Sequence, residues 1–190
     1  MKTSSVNVPE DYNVGKSVEI WARGSQIAMG YLNNPRATEE TFDKDGFLYT
    51  GDMGHFNHEG FLSIPDRLKE MIKVKGIGVT PAELKNLLLG YLHLNDVAVC
   101  GIPNKRASKR PKAFIVLKSL ESSRQVKAAR EILKYIKKNT ACYKWLREIE
   151  IVSAIPKSPA GKILRRKLRD MAINSSKNMV IKDIRFVAKL

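Results

Sequence analysis

Over the first third of the chain, apolar and polar positions alternate in short stretches. Lys16-Ser17-Val18-Glu19-Ile20-Trp21-Ala22-Arg23 has the period of two that predicts a half-buried strand. Asn34-Pro35 opens a short helix running through Phe42, with proline at an early helical position and acids in the first turns. Phe47-Leu48-Tyr49-Thr50-Gly51-Asp52 and Phe61-Leu62-Ser63-Ile64 predict two more strands, set off by turn signals at Asp45-Gly46 and Glu59-Gly60. Residues 16–65 hold too few apolar side chains to close a core alone and read as the end of something larger.

From Pro65-Asp66 the pattern changes. Ile72-Lys73-Val74 and Ile77-Gly78-Val79 flank Lys75-Gly76 as a hairpin candidate. Thr80-Pro81-Ala82-Glu83 is a helix start: threonine as cap, proline first, glutamate three residues after the cap. Leu84, Leu87, Leu88 and Tyr91 follow at helical spacing. Residues 97–102 and 113–117 are continuous apolar runs and predict buried strands. Val126, Ala129, Leu133 and Ile136 form one face of a second helix, with lysines opposite. Residues 149–152 predict a strand. A Pro/Ser/Gly loop over 156–161 precedes a last helix bearing Leu164, Leu168 and Met171 on one side. The expected class is α+β: a β-rich stretch over 1–65, a compact unit of a small sheet with flanking helices over 66–172, and a tail over 173–190 whose Asn174–Asn178 segment reads as a linker.

Composition narrows the class. The 190 residues are 43% hydrophobic and 28% charged, which is globular rather than disordered. No apolar run approaches a membrane span, and the start lacks the apolar stretch of a secretory signal. Two cysteines cannot build a disulfide scaffold, and Cys100, in an apolar run, reads as a buried free thiol. His55, His58 and His93 share no zinc-like spacing with cysteine. Charge is divided unevenly. Residues 1–65 carry 5 basic and 9 acidic side chains, residues 66–190 carry 29 and 10. The break implies two units, the second facing something anionic: nucleic acid, a phosphorylated small molecule or an acidic neighbouring domain.

Three segments carry candidate chemistry. In Tyr49-Thr50-Gly51-Asp52 a strand ends at a glycine and presents a carboxylate, an acceptor-only group suited to vicinal ribose hydroxyls. The same aspartate would also serve as a turn residue capping local backbone. Asp66 to Gly76 packs four cations and a glycine into eleven residues. Arg67 can fork onto ribose or phosphate oxygens, and Gly76 permits close backbone approach; a lysine-guarded edge strand is the plainer alternative. In Pro156–Arg166 a loop presents Lys162 just ahead of a helix, where an ammonium can neutralise carboxylate and phosphate oxygens. The spacing is not that of a Walker loop, and a basic helix start on the surface is its plainer reading.

The three segments in this order, with Gly30-Tyr31-Leu32-Asn33-Asn34-Pro35-Arg36-Ala37-Thr38-Glu39-Glu40-Thr41-Phe42 upstream, resemble the C-terminal part of the adenylate-forming enzymes: acyl-CoA synthetases, firefly luciferase and peptide-synthetase adenylation domains. The resemblance covers about residues 14 to 171. Asp66-Arg67-Leu68-Lys69-Glu70 and Pro81-Ala82-Glu83-Leu84 resemble the 4-coumarate:CoA ligase-like branch most strongly. It implies that residues 1–65 end a large AMP-binding domain and that 66–172 form the small lid domain. It implies an acid–thiol ligase that uses ATP and Mg2+ to make an acyl-adenylate, and then coenzyme A to make a thioester. By motif position Asp52 holds the ribose, Arg67 supports the nucleotide, and Lys162 is the adenylation lysine. Lys69 is the pivot of a hinge over Asp66–Lys69, Lys73 serves the thioester step, and Lys75 and Gly76 lie beside coenzyme A. One departure is Gly78, where that branch usually carries glutamine. The family's phosphate loop, adenine-site motif, acyl pocket and Mg2+ site lie upstream of this sequence, so negligible activity is expected of these 190 residues alone. Ala188-Lys189-Leu190 resembles the Ser-Lys-Leu peroxisomal address, which implies an import receptor as partner and otherwise a cytoplasmic location.

Within the family, a carrier-loading adenylation domain or a luciferase-like oxidase is the alternative. Outside it stand a basic nucleic-acid-binding module and a non-catalytic partner-binding module. The nucleic-acid reading calls for aromatics interleaved with the cations, and aromatics are only 7% of the chain, so no nucleic-acid partner is expected.

Overall fold

The computed structural model describes residues 17–104, 106–118, 121–173 and 178–183. Internal contacts divide the chain into two units, Met1–Lys69 and Glu70–Leu190.

The first unit contains β1 (Val18–Ala22), α1 (Pro35–Thr41), β2 (Leu48–Phe56) and β3 (Leu62–Arg67). The strands form an antiparallel sheet in the order β1-β2-β3. Asn34 caps α1 by accepting the Ala37 N–H at 3.1 Å, and Pro35 sets the first helical φ. Both hairpin-like turns are held by side chains. Asp43 accepts the N–H groups of Asp45 and Phe47, and Asn57 those of Glu59 and Phe61. Gly46 and Gly60 supply the positive φ that each turn needs. Among the described residues of this unit only Gly54 is fully buried. Trp21, Leu62 and Ile64 stay about half exposed, as expected of a sheet with too little apolar surface for a core of its own.

The second unit contains β4 (Ile72–Val74), β5 (Ile77–Val79), α2 (Pro81–Leu89), β6 (Leu94–Asn104), β7 (Ser108–Leu117), α3 (Ser122–Asn139), β8 (Glu148–Ile151), α4 (Arg165–Ile173) and β9 (Met179–Lys182). They build a six-stranded sheet in the order β5-β4-β7-β8-β9, with β6 paired along β7. The β7–β8 pairing is parallel, with α3 in the crossover; the others are antiparallel. Strand alternation sends Val97, Val99, Ala113 and Ile115 to one face, against Leu84 and Leu88 of α2 and Ala129, Ile132 and Ile136 of α3. Ala98, Cys100 and Phe114 go to the other, against Val152, Ile155 and Leu168 of α4. Helices cover both faces, which is why β6 and β7 read as unbroken apolar runs.

Three expectations need correction. The second helix stops at Leu89, and Tyr91 lies beyond it, packed against the core with its hydroxyl donating to Glu131 at 2.8 Å. Thr80 occupies the cap position of α2, but its side chain makes no cap bond; Glu83 pairs with Lys144 instead of closing a capping box. The polar stretch after 173 concealed a strand. β9 pairs with β8, Ile181 is buried opposite Ile149, and Asn178 donates to the Glu150 carboxylate at 2.7 Å, so 178–182 is an edge of the sheet rather than linker and tail.

Candidate functional site

In the first unit, Asp52 and Arg67 face each other across the β2–β3 register, and Arg67 Nε donates to Asp52 Oδ1 at 2.9 Å. Gly51, at φ +71°, turns the strand just before the aspartate, and its carbonyl accepts the Leu68 N–H at 2.7 Å. Thr50 fixes the approach from the other side, its hydroxyl donating to the Ile20 carbonyl at 2.6 Å while accepting the Asp52 N–H. The Asp52 side chain is about a quarter exposed and that of Arg67 about two thirds. A carboxylate beside an arginine can accept from paired hydroxyls while the cation lies next to phosphate. Lys69, the expected pivot, is exposed and is the last residue of this unit.

In the second unit, β4 and β5 close on Lys75 and Gly76, both at positive φ, +50° and +85°, the pair of values a two-residue hairpin turn with native twist requires. The Lys75 N–H donates to the Ala107 carbonyl at 3.1 Å, which ties this turn to the turn of the β6–β7 hairpin. Ile72 and Val74 point into the core, so alternation turns Lys73 outward, where it is exposed. Gly78 stands opposite Lys73. The terminal methyl of Met71 occupies the space where a side chain at 78 would begin.

Lys162 lies in a tight loop between β8 and α4. A β-bridge joins Lys157 to Ile163, the Ser158 N–H donates to the Lys162 carbonyl at 2.8 Å, and Ser158 Oγ accepts the Lys162 N–H at 3.2 Å. Gly161, at φ +76°, closes the turn, and Ile163 packs beside Leu168. Lys157 pairs with Asp96 of β6 at 2.6 Å. The backbone is thus held while the Lys162 side chain stays exposed, and among the described residues no carboxylate pairs with it. Lys73 and Lys75 are likewise exposed and without a carboxylate partner among the described residues. The anchors of the two lysine-bearing turns, Asp96 and Ala107, stand at opposite ends of the β6–β7 hairpin. At ~3.4 Å per residue, the strand between them spans ~27 Å. The Lys157–Ile163 loop and the 73–76 turn are therefore anchored at different ends of this hairpin.

Sequence reasoning passed over Ser158, Lys157 and Asp96, which hold the lysine loop. Ser158 was visible four residues before Lys162, but nothing in the chain order joins Lys157 to Asp96. On β7, Lys112 is buried between Glu148 and Glu150, at 3.0 and 2.8 Å. Burial pulls its ammonium pKa down, but the hydrogen bonds and charges of the two glutamates outweigh that and leave it raised. Burial also pushes the Cys100 thiol up to about 11.

Residues 83–162 match the AMP-binding enzyme C-terminal domain. Here the chain resembles the C-terminal part of the AMP-binding, adenylate-forming enzymes. It is 46% identical over 154 residues to 4-coumarate–CoA ligase 2 of Nicotiana tabacum, covering 81% of this chain and 28% of that protein. It is 42% identical over 159 residues to peroxisomal OPC-8:0-CoA ligase 1 of Arabidopsis thaliana, covering 84% and 28%. Among solved structures it resembles o-succinylbenzoate CoA synthetase of Bacillus subtilis with its acyl-adenylate intermediate (TM-score 0.71, 30% identity, 83% of this chain and 31% of that one). It also resembles the anthranilate CoA ligase AuaEII with anthranoyl-AMP (TM-score 0.74, 30% identity, 89% and 33%). The chain spans 28% of the length of the two plant ligases. The family expectation and the α+β class are both met.

Proposed function

We propose that this chain carries the C-terminal functions of an ATP-dependent carboxylic acid–CoA ligase. In the first step a substrate carboxylate oxygen attacks the α-phosphorus of ATP and pyrophosphate leaves. In the second the coenzyme A sulfur attacks the acyl carbon and AMP leaves. Asp52 accepts from the ribose hydroxyls, and Arg67, bound to it, holds the same nucleotide. Lys162 spans the carboxylate and phosphate oxygens as charge shifts between them, and Lys73 with the Lys75-Gly76 turn serves the thioester step. The observation that carries this reading is the exposed Lys162 on a braced loop, anchored at the opposite end of the β6–β7 hairpin from the Lys75-Gly76 turn. A unit with two such ends serves two steps by turning at Lys69. Among the described residues no group of three His, Cys, Asp or Glu side chains could hold a metal ion.

The test grafts residues 14–190 onto the remainder of a 4-coumarate–CoA ligase and follows each half-reaction. Lys162→Ala should lower acid-dependent ATP–pyrophosphate exchange by about a hundredfold or more. Lys73→Ala should spare exchange and slow thioester formation. Exchange that ignores Lys162 overturns the assignment, as does detectable exchange by the 190-residue chain alone. For localisation, Ala188, Lys189 and Leu190 lie outside the described residues. A peroxisomal destination is the proposal for them, and a fluorescent fusion of the last dozen residues that stays diffuse refutes it.

A further inference from the structure

We propose that Glu70 is a positioning residue that locks the exit of the hinge to the helix behind the Lys162 loop. The inference rests on the reading of Lys162 as the adenylation lysine. Glu70 is the first residue of the second unit. Its Oε2 faces two guanidinium groups on α4, Arg165 Nε at 3.8 Å and Arg169 Nη1 at 3.5 Å. These arginines are one helical turn apart, and Leu168 between them is fully buried, so the helix cannot roll away from the carboxylate without leaving its core. Arg165 Nε is itself buried with no hydrogen bond, so Glu70 is the anion that compensates it. The same charges act on the buried thiol of Cys100, which places the clamp on the α4 face of β6.

The helix continues directly from the lysine loop. The Leu164 N–H donates to the Pro156 carbonyl at 2.9 Å, and the Leu168 N–H to the Leu164 carbonyl at 3.2 Å. Residue 70 and residue 162 are thus joined by a short rigid path of one carboxylate, two arginines and one helical turn. A rotation at Lys69 then reaches Lys162 undiminished, where a slack connection would leave the ammonium wandering through a range of positions.

Amide hydrogen exchange on the 190-residue chain tests the clamp without reference to ligase activity, so its failure is distinct from failure of the functional reading. Glu70→Gln should speed exchange of the Leu164, Arg165 and Leu168 amides about tenfold or more and leave those of β6 and β7 unchanged. Arg165→Gln with Arg169→Gln should give the same local pattern, and adding Glu70→Gln to that pair should change it little further, because all three act through one contact. Unchanged exchange at 164–168 overturns the proposal. So does acceleration spread evenly over the sheet, which would mark plain loss of stability, and so do fully additive effects.

Discussion

Lys112 is the buried charge on which the second unit most depends. It is 1% exposed, Glu150 is fully buried and Glu148 partly so, and the single ammonium pairs with both carboxylates. Replacing Lys112 with methionine keeps the side-chain volume and strands two carboxylates on the inner strands of the sheet. Removing one partner of a buried ion pair costs about 3–5 kcal/mol, far more than the pair is worth against an apolar substitute. With a urea slope of ~2 kcal/mol/M, the midpoint should fall by about 2 M, read by far-ultraviolet circular dichroism. Lys112→Met with Glu148→Gln and Glu150→Gln should recover most of that loss, because the uncompensated charge is gone. The pH dependence has a definite sign. The folded pKa of Lys112 is raised above its ordinary value near 10.5. Its contribution is therefore complete at neutral pH, persists to about the unfolded value, and is lost as pH climbs through the folded one. Lys112→Met should lack this alkaline loss. A midpoint shift under about 0.5 M would show that the two glutamates do not depend on Lys112, and the reasoning would fall.

Two further outcomes are expected. Cys142 is exposed, whereas burial holds Cys100 as a neutral thiol with a pKa near 11; a thiol reagent at pH 8 should titrate one thiol in the native chain and two in denaturant, and rapid titration of both would contradict the packing of α4 over β6. Gly78→Ala should push aside the terminal methyl of Met71, the far end of a flexible side chain, and cost under about 1 kcal/mol; a loss of more than about 2 kcal/mol would show that Met71 cannot give way.

The chain itself declared most of the elements. Proline and glycine punctuate it clearly, and the apolar runs of β6 and β7 leave no other reading once helices cover both faces of their sheet. The short ordered patterns around Asp52, Arg67, Lys73 and Lys162 are what suggested the adenylate-forming enzymes, and residues 83–162 match their C-terminal domain. Two elements escaped for physical reasons. β9 follows a polar stretch and owes its existence to Ile181 and to the free edge of β8, a partner remote in sequence. Thr80 makes no side-chain cap bond, and the Glu83 carboxylate that would close a capping box pairs instead with Lys144, which also lies far along the chain. Charged residues show the same division. A count of lysines and glutamates cannot separate Lys112, sealed between two carboxylates, from Lys162, braced by its backbone and left open to solvent. Burial and pairing arise only when strands meet, and those two properties decide whether an ammonium stabilises the sheet or remains available to a ligand.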